Sequence, residues 1–104
     1  MTDDEIEVRV SDNPGAHRYE ATVGDDLAGF AEYRLVGRRV VFTHTEIQPQ
    51  FEGKGIGSRL AAAALDDVRA RGLGVTPLCP FIAGYIERHP AYADLVTSGG
   101  AHNS

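Results

Sequence analysis

The first half of the chain alternates. Glu5-Ile6-Glu7-Val8-Arg9-Val10 places an apolar residue at every second position, the spacing of a strand with one buried face. Ser11-Asp12-Asn13-Pro14-Gly15 is turn chemistry. Alternation resumes from Arg18 to Val23, with Tyr19, Ala21 and Val23 on one face, and stops at Gly24-Asp25-Asp26. Leu27 to Leu35 reads as a third strand, in which Ala28-Gly29 marks a bulge or an edge. Gly37 supplies a further turn, and Arg39 to Ile47, dense in Val, Phe and Thr, is a fourth strand. Turns this short join antiparallel neighbours, so the four strands form a meander.

The period then changes. Ile56, Leu60, Ala63, Ala64 and Val68 recur at helical spacing, and Leu65 widens the stripe. The predicted helix runs from about Ile56 to Arg71 and ends at Gly72, with Arg69 and Arg71 suiting its negative end. Asp66 and Asp67 fall on its solvated side. Gly74 to Cys79 is a short fifth strand, and Pro77 leaves at least one side of it without a ladder bond. Phe81 to Arg88 is a second helix, started by Pro80 and stopped at His89-Pro90; Ala91 to Val96 adds one more turn. The pattern is α+β: a mostly antiparallel sheet of about five strands with two main helices. It is expected as a single domain over residues 1–97, with a flexible tail over 98–104.

Composition narrows the function classes. With 104 residues, 42% of them hydrophobic, one core is feasible without disulfides or metals. A net charge of −5 argues against non-specific binding to nucleic acid or an acidic membrane, which needs clustered Lys and Arg. Cys79 is alone, so no internal disulfide forms, and His17, His89 and His102 show no metal-ligand spacing. Residues 1–5 are acidic and carry no apolar run, so no signal peptide is expected. No stretch approaches the roughly 20 apolar residues of a membrane span. These features together set the expectation of a cytoplasmic monomer without metal.

The strongest chemical signal is Glu52-Gly53-Lys54-Gly55-Ile56-Gly57-Ser58, between the fourth strand and the long helix. Glycines bare the backbone N–H groups, and the helix start aims its own unpaired amides and dipole at the same spot. Such a turn reads as a cradle for a phosphate or diphosphate; the alternative is a glycine-rich turn that only enters a structural helix. It is not a P-loop, because no Gly-Lys-Ser/Thr follows. Nor is it the dinucleotide fingerprint: the spacing is G-x-G-x-G and the strands before it are antiparallel.

Thr43-His44-Thr45-Glu46-Ile47, then Gln48-Pro49-Gln50-Phe51, then the glycine turn into Arg59-Leu60, resembles motif A of the GNAT superfamily of acetyl-CoA-dependent N-acetyltransferases. Pro77-Leu78-Cys79-Pro80-Phe81-Ile82 and Tyr85-Ile86 are similar to a small, minimal branch of it. The resemblance covers residues 5 to 96. It implies that the strands before and after the long helix splay apart and that acetyl-CoA lies in the cleft. Thr45, Glu46 and Ile47 would then line the pantetheine arm, while residues 52 to 58 wrap the diphosphate. Glu52 stands where the family motif has Arg or Gln; either it turns outward and offers only its N–H, or affinity suffers. The helices that precede the sheet in many members have no counterpart in this sequence, so the acceptor site is expected to be shallow, open or completed by a partner.

Acetyl transfer needs a neutral amine, a stabilised oxyanion and a proton for the leaving thiolate. His44 and Glu46 share a strand face and are candidate bases. Cys79, at the end of the fifth strand, is a candidate acid or acyl-accepting nucleophile, and Tyr85 a second proton donor. The function implied is acetyl transfer from acetyl-CoA to an unidentified amine. The alternative is a non-catalytic module that binds acetyl-CoA or CoA, or a protein that only holds partners.

Overall fold

A computed structural model describes residues 7–97. The strands are β1 (Val8–Asn13), β2 (Arg18–Val23), β3 (Asp26–Val36), β4 (Arg39–Ile47) and β5 (Gly74–Pro77). The helices are α1 (Ile56–Ala70), α2 (Pro80–Arg88) and α3 (Ala93–Thr97). The sheet order is β1-β2-β3-β4-β5. The first four strands pair antiparallel; β5 returns through α1 to lie parallel to β4. Glu5, Ile6 and the tail expected over 98–104 lie outside the described residues.

The core forms where α1 lies on the sheet. Ile56, Leu60, Ala64, Leu65 and Val68 are buried on α1, matching the helical stripe, against Tyr19, Ala21, Ala31 and Phe42 of the strands. Burial of each large apolar side chain contributes about 1.5–3 kcal/mol, which outweighs any single surface contact in the molecule. The helix stops where the sequence supplies Gly72, at φ +72°. Gly72 N–H donates to the Arg69 carbonyl (3.0 Å) and Leu73 N–H to the Val68 carbonyl (3.1 Å). This pair of bonds is the Schellman closure that needs a left-handed residue.

β1 runs on through Ser11, Asp12 and Asn13, residues that read as a turn in the sequence. Their polar side chains have partners that hold them in the strand. The Tyr33 hydroxyl donates to Asp12 (2.6 Å), Arg71 pairs with Asp12 (3.2 Å), and Asn13 donates to Glu20 (3.1 Å). Asp67 accepts from the Tyr19 hydroxyl (2.7 Å) and pairs with Arg71 (2.9 Å), and Asp66 accepts from Tyr92 (2.8 Å). The two aspartates are therefore fasteners rather than idle surface charge. Burial, then the bond to Asp12, pushes the Tyr33 phenol up to about 12. Burial and Asp67 push that of Tyr19 upward as well.

Two bulges tune the sheet. Ala21 pairs with Gly29 and Thr22 with Leu27, so Ala28 is an extra residue in β3, where the sequence suggested a bulge. The second bulge was not expected. Glu32 pairs with His44 and Tyr33 with Phe42, leaving Thr43 over in β4. An added residue inverts the alternation beyond it. Phe42 is buried, and after the bulge Thr45 and Ile47 are the half-buried positions while His44 and Glu46 are exposed.

Candidate functional site

β4 and β5 part company at Phe42. Their register runs from Arg39↔Gly74 to Phe42↔Pro77. The N–H groups of Leu78 and Cys79 then both donate to the Phe42 carbonyl (3.0 Å each), pinning the apex of the fork. Beyond it, among the described residues, β4 pairs with β3 alone through Ile47. Five residues, Thr43 to Ile47, thus present one open backbone edge, roughly 16 Å long at ~3.3 Å per residue. Pro77, with no N–H to give, sits where the parallel ladder ends.

The glycine turn closes the far end of this edge. Gln48 N–H returns to the Ala28 carbonyl (2.8 Å), and a 3-10 turn over Pro49–Phe51 leads into Glu52. Gly53 (φ +80°) and Gly55 (φ +78°) adopt left-handed backbone with open space where a Cβ would project. Gly55 is the N-cap of α1, and no side chain caps the helix. The amides of its first turn therefore lack intrahelical acceptors and face outward with the positive end of the dipole. Glu52 is exposed, and its N–H is committed to the Pro49 carbonyl (3.2 Å), so it adds no spare amide to the glycine turn. Gly57 differs: a Cβ there would meet the Phe81 ring at 2.7 Å. A shallow concavity is bordered by Ile47, Phe51, Gly53, Gly57 and Phe81. Phe51 and Phe81 were not among the expected site residues; the aromatic type of Phe51 directly before the motif was the available signal, whereas Phe81, on α2, is brought there by the fold. The residues present fit a diphosphate: bare amides, a helix start, and Lys54 and Arg59 nearby.

Of the candidate catalytic groups, the fold pairs His44 with Glu46 and sets Cys79 against Thr45, which was expected to line the cofactor arm. Cys79 is buried, with its Sγ–H directed to Thr45 Oγ1 across the fork at 3.2 Å. His44 Nε2 lies 3.2 Å from Glu46 Oε1, with both side chains about half exposed. The Thr43 bulge puts the His44–Glu46 pair on the exposed face of β4, opposite Thr45. Phe30 pairs with Glu46 in register, and its ring lies 6.2 Å from His44. The Arg18 guanidinium covers Phe30 at 4.5 Å and pairs with Glu20 (2.8 Å), holding the Glu20 carboxyl below its usual range. Tyr85 joins neither pair. It is buried, stacked on His89 at 4.0 Å and 18°, and tilted against Tyr92 at 6.0 Å. Among the described residues no His, Cys, Asp and Glu cluster could hold a metal, and no helix is long and apolar enough to cross a membrane.

A forked strand pair, a glycine turn at a helix start and a crossover helix between them define an acetyltransferase-type fold. A family model described as GCN5-related N-acetyltransferase matches residues 18–95, and the chain belongs to that family. It is 39% identical over 59 residues to Protein NATD1 of Gallus gallus and of Homo sapiens, covering 56% of this chain. The chain spans about half the length of these relatives, 54% and 52% respectively. The solution structure of a GCN5-like protein from Staphylococcus aureus matches 94% of this chain and 93% of its own, with a TM-score of 0.64 and 22% identity. The crystal structure of the Escherichia coli ribosomal-protein-S18-alanine N-acetyltransferase matches 56% of this chain and 38% of its own, with a TM-score of 0.53 and 20% identity. Both likenesses are of fold.

Proposed function

We propose that this chain binds acetyl-CoA and transfers the acetyl group to an amine. The observation that carries the reading is the fork at Phe42, with an open β4 edge running from Cys79 to the glycine turn. The amides from Gly53 to Ser58 would hold the diphosphate, and Thr45 to Ile47 would line the pantetheine arm. The thioester sulfur would then lie near Cys79. On the other face of β4, His44 and Glu46 form the basic pair. The amine nitrogen attacks the thioester carbonyl, a C–N bond forms, the C–S bond breaks, and the amine proton passes to the His44–Glu46 pair. Cys79 either protonates the departing CoA sulfur or first takes the acetyl group itself, releasing CoA, before the amine displaces it. The family membership supports acetyl transfer as the reaction class.

Calorimetric titration with CoA, followed by incubation with labelled acetyl-CoA and an amine panel, tests the reading. Binding together with labelled amide is the expected result. Binding without transfer or thioester hydrolysis would favour a CoA-holding module, a role consistent with Glu52 at the cradle. Mass spectrometry before amine is added separates the two roles of Cys79, since only the two-step route adds acetyl to that sulfur.

A further inference from the structure

Two groups cross the fork to meet: the Cys79 thiol, which is 3% exposed, and the half-buried hydroxyl of Thr45. Their 3.2 Å contact joins the β5–α2 junction to the one stretch of β4 that β5 leaves unpaired. Three features set the geometry. The Phe42 carbonyl fixes the Cys79 backbone through its N–H. The Thr43 bulge turns Thr45, rather than His44, toward the half-buried side. Pro80, at the start of α2, fixes the chain leaving Cys79. A β-branched threonine has few rotamers open to it in a strand, so its oxygen stays near the sulfur.

We infer that Thr45 is the positioning residue for Cys79, its hydroxyl aiming the sulfur into the fork and stabilising it when it gives up its proton. A hydroxyl both accepts and donates. While the thiol is protonated, Thr45 Oγ1 accepts from S–H. When that proton passes to the departing CoA sulfur, the Cys79 S–H bond breaks and a CoA S–H bond forms. The Thr45 O–H then rotates to donate to the Cys79 thiolate. The cysteine recovers its proton from solvent, and the His44–Glu46 pair releases the amine proton to solvent, so the protons balance over a turnover. This role rests on the acetyl-transfer reading for its purpose. The coupling of Thr45 to the sulfur exists without it.

The test uses the full chain, in which Cys79 is the single cysteine. A methanethiosulfonate reagent is reacted with wild type, Thr45→Val and Thr45→Ser over a range of pH, without CoA. A hydrogen bond to a charged group implies a thiol reaction about tenfold slower in Thr45→Val, with its pH profile displaced upward. Thr45→Ser, which keeps the oxygen, should react within about twofold of wild type. Thr45→Ala reads the same bond should valine disturb the strand. Equal or faster reaction in both oxygen-free variants, or a serine variant as slow as valine, overturns the assignment. In the transfer assay kcat should fall in Thr45→Val while KM for acetyl-CoA holds. A raised KM with kcat unchanged would make Thr45 a mere wall of the arm and overturn it too. Loss of CoA affinity in wild type with the thiol effect intact would retire the transfer reading alone.

Discussion

Gly53, Gly55 and Gly57 look alike in the sequence and do different work. The first two need left-handed backbone; the third needs room for Phe81. Gly55→Glu combines a strained φ, costing roughly 1–2 kcal/mol, with a negative charge at the cradle. We expect CoA binding to vanish in calorimetry while the variant still folds. Gly57→Ala leaves the amides in place and forces the Phe81 ring to move, at a cost of roughly 1–3 kcal/mol in a denaturant titration. Undiminished stability there would mean that the ring yields freely. Tyr33 carries a pH dependence. Its phenol is raised to about 12 in the folded chain against an ordinary value near 10. The neutral phenol, buried and bonded to Asp12, therefore contributes stability that is fully present below about pH 10 and is lost as pH rises through about 12. Tyr33→Phe should lower stability at neutral pH by roughly 1–3 kcal/mol and flatten the alkaline limb of a thermal-melt series. Tyr19, raised in the same direction, keeps part of that limb in the variant.

Among the α-helices, α3 is the shortest, with five residues. It is held by Arg69, which forks onto Asp94 (2.9 and 3.0 Å) and donates to the Ala91 carbonyl (2.7 Å), by Arg39, which donates to the Val96 carbonyl (2.7 Å), and by Leu95 in the core. The Arg69–Asp94 pair is about half exposed, so solvent screening keeps it below about 1 kcal/mol. Arg69→Ala should leave the global melting curve nearly unchanged yet speed amide exchange over Ala93–Thr97. A large drop in global stability would show that α3 is integral to the core. Element by element, legibility followed how local the determinants were. β4 was readable to its ends, because β-branched density and flanking turn residues bound it. α1 was readable from its stripe and Gly72. β1 was cut short because Asp12 and Asn13 carry turn propensity, which partners far along the chain, Tyr33 and Arg71, override. The bulge at Thr43 left no mark in the alternation, since Thr, His and Glu suit either face. For the same reason His44 and Glu46 were readable as a pair, whereas the Cys79–Thr45 contact, 34 positions apart, required the fold.

For the whole molecule, ligand linkage is the decisive readout. A ligand that binds only the native state at 100 times its Kd adds about 2.7 kcal/mol, and in a domain of this size each kcal/mol moves Tm by about 4–8 °C. CoA at that excess should therefore raise Tm by roughly 10 °C or more in a scanning melt. No shift at millimolar CoA would contradict the cradle. The described body is elongated, with principal extents of 50 × 29 × 22 Å. The acidic balance of the chain slightly favours approach of cationic acceptors, although a charge of −5 spread over the surface gives only mild steering.

The four-residue zipper between β4 and β5 has a kinetic corollary. Every other strand pairing joins sequence neighbours across a tight loop, whereas this one waits for a whole helix to dock. Assembly should thus proceed from the meander outward, with the last rungs closing late and opening first. A small molecule seated across that seam would make its opening rarer by joining its two halves.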